Sequence, residues 1–356
     1  MGADNIIWNN FGKLLIILTV ITVFLQCYHV LYVMKIQGRP NPSLLMGGKG
    51  KKVPKIPMDI LKIYVQRIQN AHKMDSSGTY MVVPNIAKAA MDASKSNLTN
   101  LSICTQSTVK NLVNLANLLR VWQGPVSVTV FAHGRDVLLA AYAIAYYTSC
   151  YKQISHQVSF HIAFPIRHPP ENLEHLVNVD LSCGKNRFTR PSANSSMNYA
   201  NTKIPYPHNM LRNVAVYFAE TSYILVTDID MVPSVNLQSD FFKLSKRKGG
   251  NSKLVFVLPV FEAKASNQHY DKPLLLTQWK TEQVRPFYEK VCSRCQQPTN
   301  YERWQDLPNM GFLDIGYILE WRDPWEPFYI ALKQDLPQYD GRFKQYGFNR
   351  ISQVVN

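Results

Sequence analysis

The sequence predicts an α/β protein in which a mixed, mostly parallel sheet is flanked by helices. This domain follows one predicted N-terminal transmembrane helix. Three observations lead to this prediction. Apolar residues recur with strand-like and helix-like spacing in turn along most of the chain. The run Leu14–Met34 contains no Lys, Arg, Asp or Glu. The chain has 356 residues, of which 46% are hydrophobic, so it can bury one large core or two smaller ones.

The uncharged run near the N-terminus is long enough, at helical rise, to cross a bilayer core of roughly 30 Å. It predicts a signal anchor, with a cleaved signal peptide or a buried core helix as the alternatives. The stretch that follows is rich in Gly, Pro and Lys, which is typical of a flexible stem. The predicted organisation is a cytoplasmic tail at 1–13, the span at 14–34, a stem at 35–57 and a luminal domain at 58–356.

Two features of the sequence disagree about the side of the membrane on which the domain lies. Basic residues are concentrated after the span, and the positive-inside rule alone would place the domain in the cytosol. Three glycosylation sequons, at Asn97, Asn100 and Asn194, favour the lumen, as do five of the six cysteines, which lie in the domain. We therefore expect a luminal domain.

The elements of the domain alternate in type. Apolar residues have helical spacing at 58–74, 109–122, 136–148 and 210–220. Strands are predicted at 79–86, 101–105, 126–131, 158–164, 223–227 and 253–261. Because strands and helices take turns, most of the sheet is expected to be parallel.

The formal charge is +15 and the pI is about 9.5, so anionic partners are favoured. The basic residues are scattered and form neither a zinc-finger spacing nor an RNA-binding aromatic motif, so nucleic acid is not predicted as a partner. A charged small molecule such as a sugar nucleotide is the interpretation that fits.

Two aspartates one residue apart, Asp228 and Asp230, follow the strand at 223–227. In a parallel sheet, ligands gather outside the carboxyl ends of the strands. Carboxylate oxygens suit Mn²⁺ or Mg²⁺, which commonly keeps substrate phosphate in its shell. An acid-x-acid triplet arises about once by chance in a chain of this length. The strand before the pair and the turn-forming Pro233 after it favour a metal and diphosphate site over a chance triplet.

The same register fits a second enzyme class. Asp228, Asp230 and Val232 match the D-x-D-x-[TV] motif of haloacid-dehalogenase-like phosphatases. In those enzymes the first Asp is the nucleophile and the second is a general acid/base. That motif usually opens its domain and is followed by an acidic pair on a later strand. Here the motif falls late and the strand at 253–261 ends without such a pair. A phosphatase is therefore a minor alternative.

Five stretches in the same order resemble glycosyltransferase family 49, from about Leu101 to the last residues and most closely from Tyr206 onward. They are YPHNMLRNVA, YILVTDIDMVPS, VRPFYEKVCSRCQQPTNYERW, DPWEPFY and GRFKQYGFNRISQ. The resemblance implies a GT-A-type, Rossmann-like fold on a Golgi signal anchor, a UDP-sugar donor, dependence on Mn²⁺ and inversion at the anomeric carbon. It also implies a single-pass type II Golgi membrane protein that forms homo- or hetero-oligomers with other Golgi glycosyltransferases.

The resemblance implies that the sugar is passed to a glycan on a glycoprotein, with glucuronate as the favoured sugar, as in O-mannosyl glycan and matriglycan-primer synthesis. Two alternatives stay open. One is a β-1,3-N-acetylglucosaminyltransferase. The other is a catalytically inactive, membrane-anchored relative that binds nucleotide or a partner.

Carried onto this chain, the resemblance makes Asp228 and Asp230 the metal ligands, with Asp228 also at the UDP-sugar. It places Thr105 near the mouth of the nucleotide pocket. Arg212 has a fork of donors that could reach donor phosphate or a sugar carboxylate, or could lie on a solvated helix face.

An inverting transfer also needs a base for the acceptor hydroxyl. Asp323, Glu326 and Glu262 are the candidate bases. The tryptophans Trp321 and Trp325, beside the first two, are predicted either to stack on a sugar ring or to pack in the protein.

Cys292 and Cys295 have the spacing of half a zinc site, but no second Cys or His pair lies near them. In an oxidising lumen a disulfide is the stronger prediction, with each other or with Cys104, Cys150 or Cys183. The spacing does not decide the connectivity.

In the family, the motif that here reads YGFNRISQ continues to a segment that supplies a histidine ligand to the metal. None of the nine histidines of this chain lies in a matching context before Asn356. The resemblance thus implies a chain truncated at its C-terminus and a site with two carboxylates that binds metal more weakly. A truncated gene model or splice form, an inactive relative, and an enzyme that completes the metal shell with water are the three explanations.

Overall fold

The computed structural model describes residues 56–91, 101–174, 183, 204–248, 254–264, 270–345 and 349–354. The predicted tail and span, the predicted stem except its last two residues, and the three sequon asparagines lie outside these ranges. Within them, no helix combines the length and the apolar character that a bilayer crossing requires.

The described helices and strands follow the predicted alternation. The helices are α1 (Met58–Gln69), α2 (Leu115–Val121), α3 (Asp136–Cys150), α4 (Lys152–Gln157), α5 (His208–Phe218), α6 (Leu237–Lys248), α7 (Lys272–Lys280), α8 (Tyr301–Asp306) and α9 (Ile351–Val354). The strands are β1 (Lys73–Met74), β2 (Tyr80–Ala87), β3 (Leu101–Thr108), β4 (Val126–Phe131), β5 (Val158–Pro165), β6 (Tyr223–Val226), β7 (Phe256–Leu258), β8 (Phe261–Ala263), β9 (Val284–Pro286) and β10 (Phe328–Leu332).

The central strands are parallel, as the sequence predicts. In the described part of the chain, eight strands form one sheet in the order β1-β2-β5-β4-β3-β6-β10-β7. The four in the middle, β5, β4, β3 and β6, run parallel, while the strands on either side of them run antiparallel. After β3 the chain moves outward through β4 and β5, and it then returns to place β6 on the other side of β3. Such a reversal opens a crevice at the carboxyl ends of the two strands.

The two faces of the central strands are covered by different helices. On β3, Ile103 belongs to the large core that includes α3, whereas the next residue, Cys104, packs with Ala215 of α5. On β6, Leu225 and Val226 divide in the same way. This alternation follows from the two-residue period of a strand. It places α5 beside the carboxyl ends of β3 and β6.

The elements predicted at 109–122 and 253–261 are wrong in detail. The segment 109–122 is a 3₁₀ helix over Val109–Asn114 followed by α2. The first part contains Asn111 and Asn114, and asparagine side chains compete for the backbone hydrogen bonds of a helix. The segment 253–261 is not one buried strand but the half-buried β7 and β8, which lie in different sheets. Pro259 lies between them and has no N–H group with which to continue a strand ladder.

A buried histidine joins three elements of the core. His161 on β5 is fully buried, and its Nδ1 accepts a hydrogen bond from the Asn85 backbone N–H at 2.9 Å. Its Nε2 lies 3.1 Å from the Ser127 hydroxyl, which in turn donates to the Ala215 carbonyl at 2.7 Å. Nε2 therefore donates to Ser127, and the neutral imidazole satisfies both nitrogens. Burial lowers the pKa of His161 to about 3.

We expect this histidine to make the fold acid-labile. The pKa of His161 in the folded protein is below the ordinary value of about 6.5. Its contribution to the free energy of unfolding is therefore complete above pH 6.5 and is lost as the pH falls toward 3. Between pH 7.5 and 5.0 the loss is about 2 kcal/mol of unfolding free energy. Urea unfolding of the full chain at the two pH values, with His161→Gln compared with the exposed His72→Gln, measures it. Equal pH dependence in both variants would contradict the assignment.

Candidate active site

Asp228 lies at the crevice between β3 and β6, two residues after β6 ends. Its Oδ1 accepts hydrogen bonds from Arg212 Nη2 at 3.2 Å and from Gln106 Nε2 at 3.4 Å. Its Oδ2 lies 3.0 Å from Arg350 Nη2. Four side chains from β3, α5, the segment after β6 and the segment before α9 therefore meet here. We call Asp228, Arg212, Arg350 and Gln106 the Asp228 cluster.

The charges of this cluster do not balance. The side chains of Arg212 and Arg350 are 3% and 9% exposed, against 34% for Asp228. Burial alone would raise the pKa of Asp228, but the guanidinium groups of Arg350 and Arg212 hold it well below its usual range. One carboxylate thus remains ionised between two guanidinium groups, which leaves an excess of positive charge.

The two arginines of the cluster also contact aromatic rings, and one of them has a buried nitrogen without a hydrogen-bond partner among the residues described. The Arg212 guanidinium carbon lies 5.5 Å from the centroid of the Tyr339 ring, and that of Arg350 lies 4.2 Å from the Phe328 ring. These contacts favour a fixed position for each cation. Arg212 Nε is buried and has no hydrogen-bond partner among the residues described. The cluster is therefore a cationic site whose guanidinium groups lie between Asp228 and aromatic rings.

Asp230 is exposed in the turn that follows Asp228. Within the described ranges, no group of three or more His, Cys, Asp or Glu residues is arranged to hold a metal ion. Asp228 and Asp230 nevertheless have the right chemistry for Mn²⁺ or Mg²⁺. Both offer hard oxygen ligands, and neither carboxylate is sealed from solvent. It fits a cation that takes its other ligands from water and a diphosphate.

The three candidate bases lie in different surroundings. Glu262 on β8 is paired with Arg285 on β9, whose Nε donates to its carboxylate at 2.6 Å. Asp323 is exposed and lines a cavity of about 1100 Å³ beside the turn at 292–300. Glu326 is half-buried and within electrostatic range of the Asp228 cluster. Of the three, the structure brings only Glu326 to that cluster.

Glu326 is held through its backbone. Its N–H donates to the Cys295 carbonyl at 2.9 Å, and its carbonyl accepts from Gln296 Nε2 at 2.7 Å. Cys295 forms a disulfide with Cys292, which closes a turn, and Gln296 directly follows that turn. Burial raises the pKa of Glu326, against the opposing effect of Arg350 and Arg212. A raised pKa suits a group that must accept a proton near neutral pH.

The other residues singled out in the sequence lie away from the cluster. Thr105 has no exposed surface and points away from Asp228, because the side chain of the next residue, Gln106, reaches it. Trp325 is buried and donates from Nε1 to Thr299 Oγ1 at 3.0 Å, which makes it a packing residue, whereas Trp321 is 38% exposed.

The remaining cysteines are also placed by the structure. Cys150, the last residue of α3, is bonded to Cys183. Cys104 is a free thiol, and burial raises its pKa well above the usual range. Cys104 is therefore a packing residue on the α5 face of β3.

Three residues of the site are absent from the sequence predictions. Gln106 follows Thr105 on β3, and the alternation of side chains could have identified it once the face covered by α5 was known. Arg350 lies inside the quoted stretch GRFKQYGFNRISQ, but its distance of more than 100 residues from Asp228 conceals the contact. Asn209, described below, lies in the stretch YPHNMLRNVA.

An acidic pair and a cationic cluster at the switch point of a sheet with parallel central strands are typical of an enzyme that binds a phosphate-bearing ligand. Residues 100–356 match the family model described as "Glycosyl-transferase for dystroglycan". The chain therefore belongs to this family, glycosyltransferase family 49, and is a glycosyltransferase, which confirms the resemblance.

Individual relatives agree with the family assignment. The chain is 34% identical over 367 residues to β-1,4-glucuronyltransferase 1 of Danio rerio, covering 96% of this chain and 83% of that protein. It is 36% identical over 289 residues to β-1,4-glucuronyltransferase 1 of Homo sapiens, covering 79% of this chain and 68% of that protein. It is 30% identical over 154 residues to xylosyl- and glucuronyltransferase LARGE2s of Danio rerio, covering 42% and 20%. These similarities favour the glycosyltransferase class over the phosphatase alternative.

Proposed function

We propose that this protein transfers glucuronate from a UDP-sugar to a glycan on a glycoprotein, with inversion at the anomeric carbon and with Mn²⁺ as cofactor. The observation that carries the proposal is the pair of buried arginines that share one carboxylate beside the exposed Asp230. Such a site suits a donor that is anionic at its diphosphate and again at its sugar. The glucuronyltransferases among its relatives support the same donor.

The roles of the site residues follow from their surroundings. Asp230 and Asp228 would hold Mn²⁺ together with the donor diphosphate, and the bound metal offsets the charge on the departing UDP. Arg212 and Arg350 would donate to an anionic group of the donor. Glu326 would take the proton of the acceptor hydroxyl, because it alone of the candidate bases lies near the cluster and its pKa is raised.

The compartment belongs to the same proposal. We place the domain in the Golgi lumen, behind a single N-terminal span, and within oligomers of Golgi glycosyltransferases. The disulfides Cys150–Cys183 and Cys292–Cys295 support an oxidising compartment.

A donor panel tests the proposal. The purified full chain is assayed with UDP-glucuronate, UDP-N-acetylglucosamine and UDP-xylose, with Mn²⁺ or with a chelator. We expect Mn²⁺-dependent transfer from UDP-glucuronate and at least a 100-fold lower rate in Asp230→Asn, because this variant removes a metal ligand. Asp335→Asn, which changes an exposed aspartate outside the site, is the matched control and should retain the wild-type rate.

Each other outcome has a definite meaning. Transfer from UDP-N-acetylglucosamine alone would replace the glucuronate proposal with the N-acetylglucosaminyltransferase alternative. Nucleotide binding without transfer from any donor would support the inactive relative. An unchanged rate in Asp230→Asn would refute the metal assignment.

A further inference from the structure

We infer that Asn209 is a positioning residue, which sets both arginines of the Asp228 cluster for an anionic group of the donor. The inference rests on the proposed function, since it assumes that the cluster binds a UDP-sugar. It assigns a role to a fully buried residue.

One amide side chain connects the two arginines. Asn209 is fully buried in the first turn of α5. Its Oδ1 accepts a hydrogen bond from Arg212 Nη1 at 3.2 Å. Its Nδ2 donates to the Asn349 carbonyl at 2.8 Å and to the Asp340 carbonyl at 2.9 Å. Because Asn349 directly precedes Arg350, Asn209 fixes one guanidinium group directly and the other through its backbone.

The chemistry of the contact requires an amide. An asparagine offers two N–H donors and an acceptor oxygen, and here the donors face two carbonyls while the oxygen faces a cation. A carboxylate of the same shape would still accept from Arg212 but would oppose the two carbonyl oxygens. An alanine would leave two carbonyls and one guanidinium N–H without this partner.

The position of the arginines matters because recognition of an anion by guanidinium groups is geometric. A phosphate or a carboxylate is bound best when both N–H groups of a guanidinium fork point at two of its oxygens. Small displacements of a positioned group weaken a site whose other members are rigid. Removing the hydrogen bonds of the Asn209 side chain is therefore expected to weaken binding of the UDP-sugar more than it slows the chemical step.

The chain offers a matched control one helical turn further along α5. Asn213 donates from Nδ2 to the Tyr339 carbonyl at 2.7 Å and accepts from the Tyr339 N–H at 2.9 Å. It thus ties the same helix to the segment that contains Tyr339 and Asp340 by the same chemistry. None of the hydrogen bonds described for its side chain involves an arginine.

The experiment compares Asn209→Ala and Asn213→Ala in the full chain, with Mn²⁺ at fixed ionic strength. Urea unfolding is expected to show a similar loss of stability in both. The KM for UDP-glucuronate is expected to rise at least tenfold in Asn209→Ala, with kcat lowered less than threefold, and to change less than twofold in Asn213→Ala. Asn209→Ser, which keeps a small polar side chain, replaces the first variant if that one does not fold.

Binding of UDP, UDP-glucose and UDP-glucuronate then identifies the anion. Equal weakening of all three in Asn209→Ala assigns the arginines to the diphosphate, whereas weakening of UDP-glucuronate alone assigns them to the sugar carboxylate, and both results support the inference. Equal KM values in the Asn209 and Asn213 variants, or a loss confined to kcat, would overturn it. If the wild-type chain binds none of these nucleotides, the proposed function itself fails.

Discussion

Asp228→Asn is expected to lower the free energy of unfolding by about 3 kcal/mol, whereas Asp230→Asn should change it by less than about 0.5 kcal/mol. The first substitution removes the carboxylate that contacts both buried guanidinium groups. Removing one partner of a buried ion pair commonly costs about 3 to 5 kcal/mol, and the low end applies because Asp228 is partly exposed. The second substitution changes an exposed carboxylate.

Urea unfolding of the three full-length proteins at pH 7.5 and pH 5.5 checks this result. The folded pKa of Asp228 is depressed, so its contribution is present above its unfolded value of about 4 and is lost only as pH falls below that value. The difference between wild type and Asp228→Asn should therefore be the same at both pH values. A similar stability in both aspartate variants would show that the arginines do not depend on Asp228.

Glu326→Gln is expected to lower kcat by about 10²- to 10⁴-fold without weakening UDP binding, if Glu326 is the base of the transfer. The amide preserves the shape of the side chain but cannot accept the proton of the acceptor hydroxyl. A carboxyl with a raised folded pKa contributes most to stability below its unfolded pKa and loses that contribution as pH rises through the folded value. Glu326→Gln should therefore be no less stable than wild type at pH 7.5.

The control for Glu326 lies three residues away. Asp323→Asn alters an exposed carboxylate on the same segment, and its kcat is expected to stay within twofold of wild type. The transfer rate of wild type, measured from pH 5 to 8, should fall toward the acidic end as Glu326 becomes protonated. The rate of Glu326→Gln should lack this fall. If Asp323→Asn loses activity while Glu326→Gln keeps it, the base is Asp323.

The parallel centre of the fold could be predicted from the sequence because each strand there has a local signal. Val126–Phe131 and Tyr223–Val226 are apolar, β-branched runs between turns, and the structure places both as strands. The antiparallel strand β10 could not be predicted in this way. It pairs with β6 across about 100 residues of intervening chain, and nothing in its own sequence specifies that partner.

The same distinction applies to the site. Asp228 and Asp230 are recognisable because a strand and a turn enclose them. Arg350 and Asn209 are not, because their importance comes from contacts with residues that are distant in sequence or from a backbone carbonyl. A sequence motif records which side chains stand near each other along the chain, whereas a charge cluster is formed by the topology of the sheet.

The disulfide-closed turn at Cys292–Cys295 has a consequence for how acceptor preference can diverge. It is hydrogen bonded to Glu326 through Cys295 and, at the next residue, through Gln296, but the described donor-side contacts of Asp228 come from β3, α5 and the segment before α9. Under the proposed function, changes in the turn are expected to shift Glu326 while the hydrogen bonds and ion pair of Asp228 keep their partners. On this proposal, acceptor preference can change through substitutions in the turn, with no substitution in the Asp228 cluster.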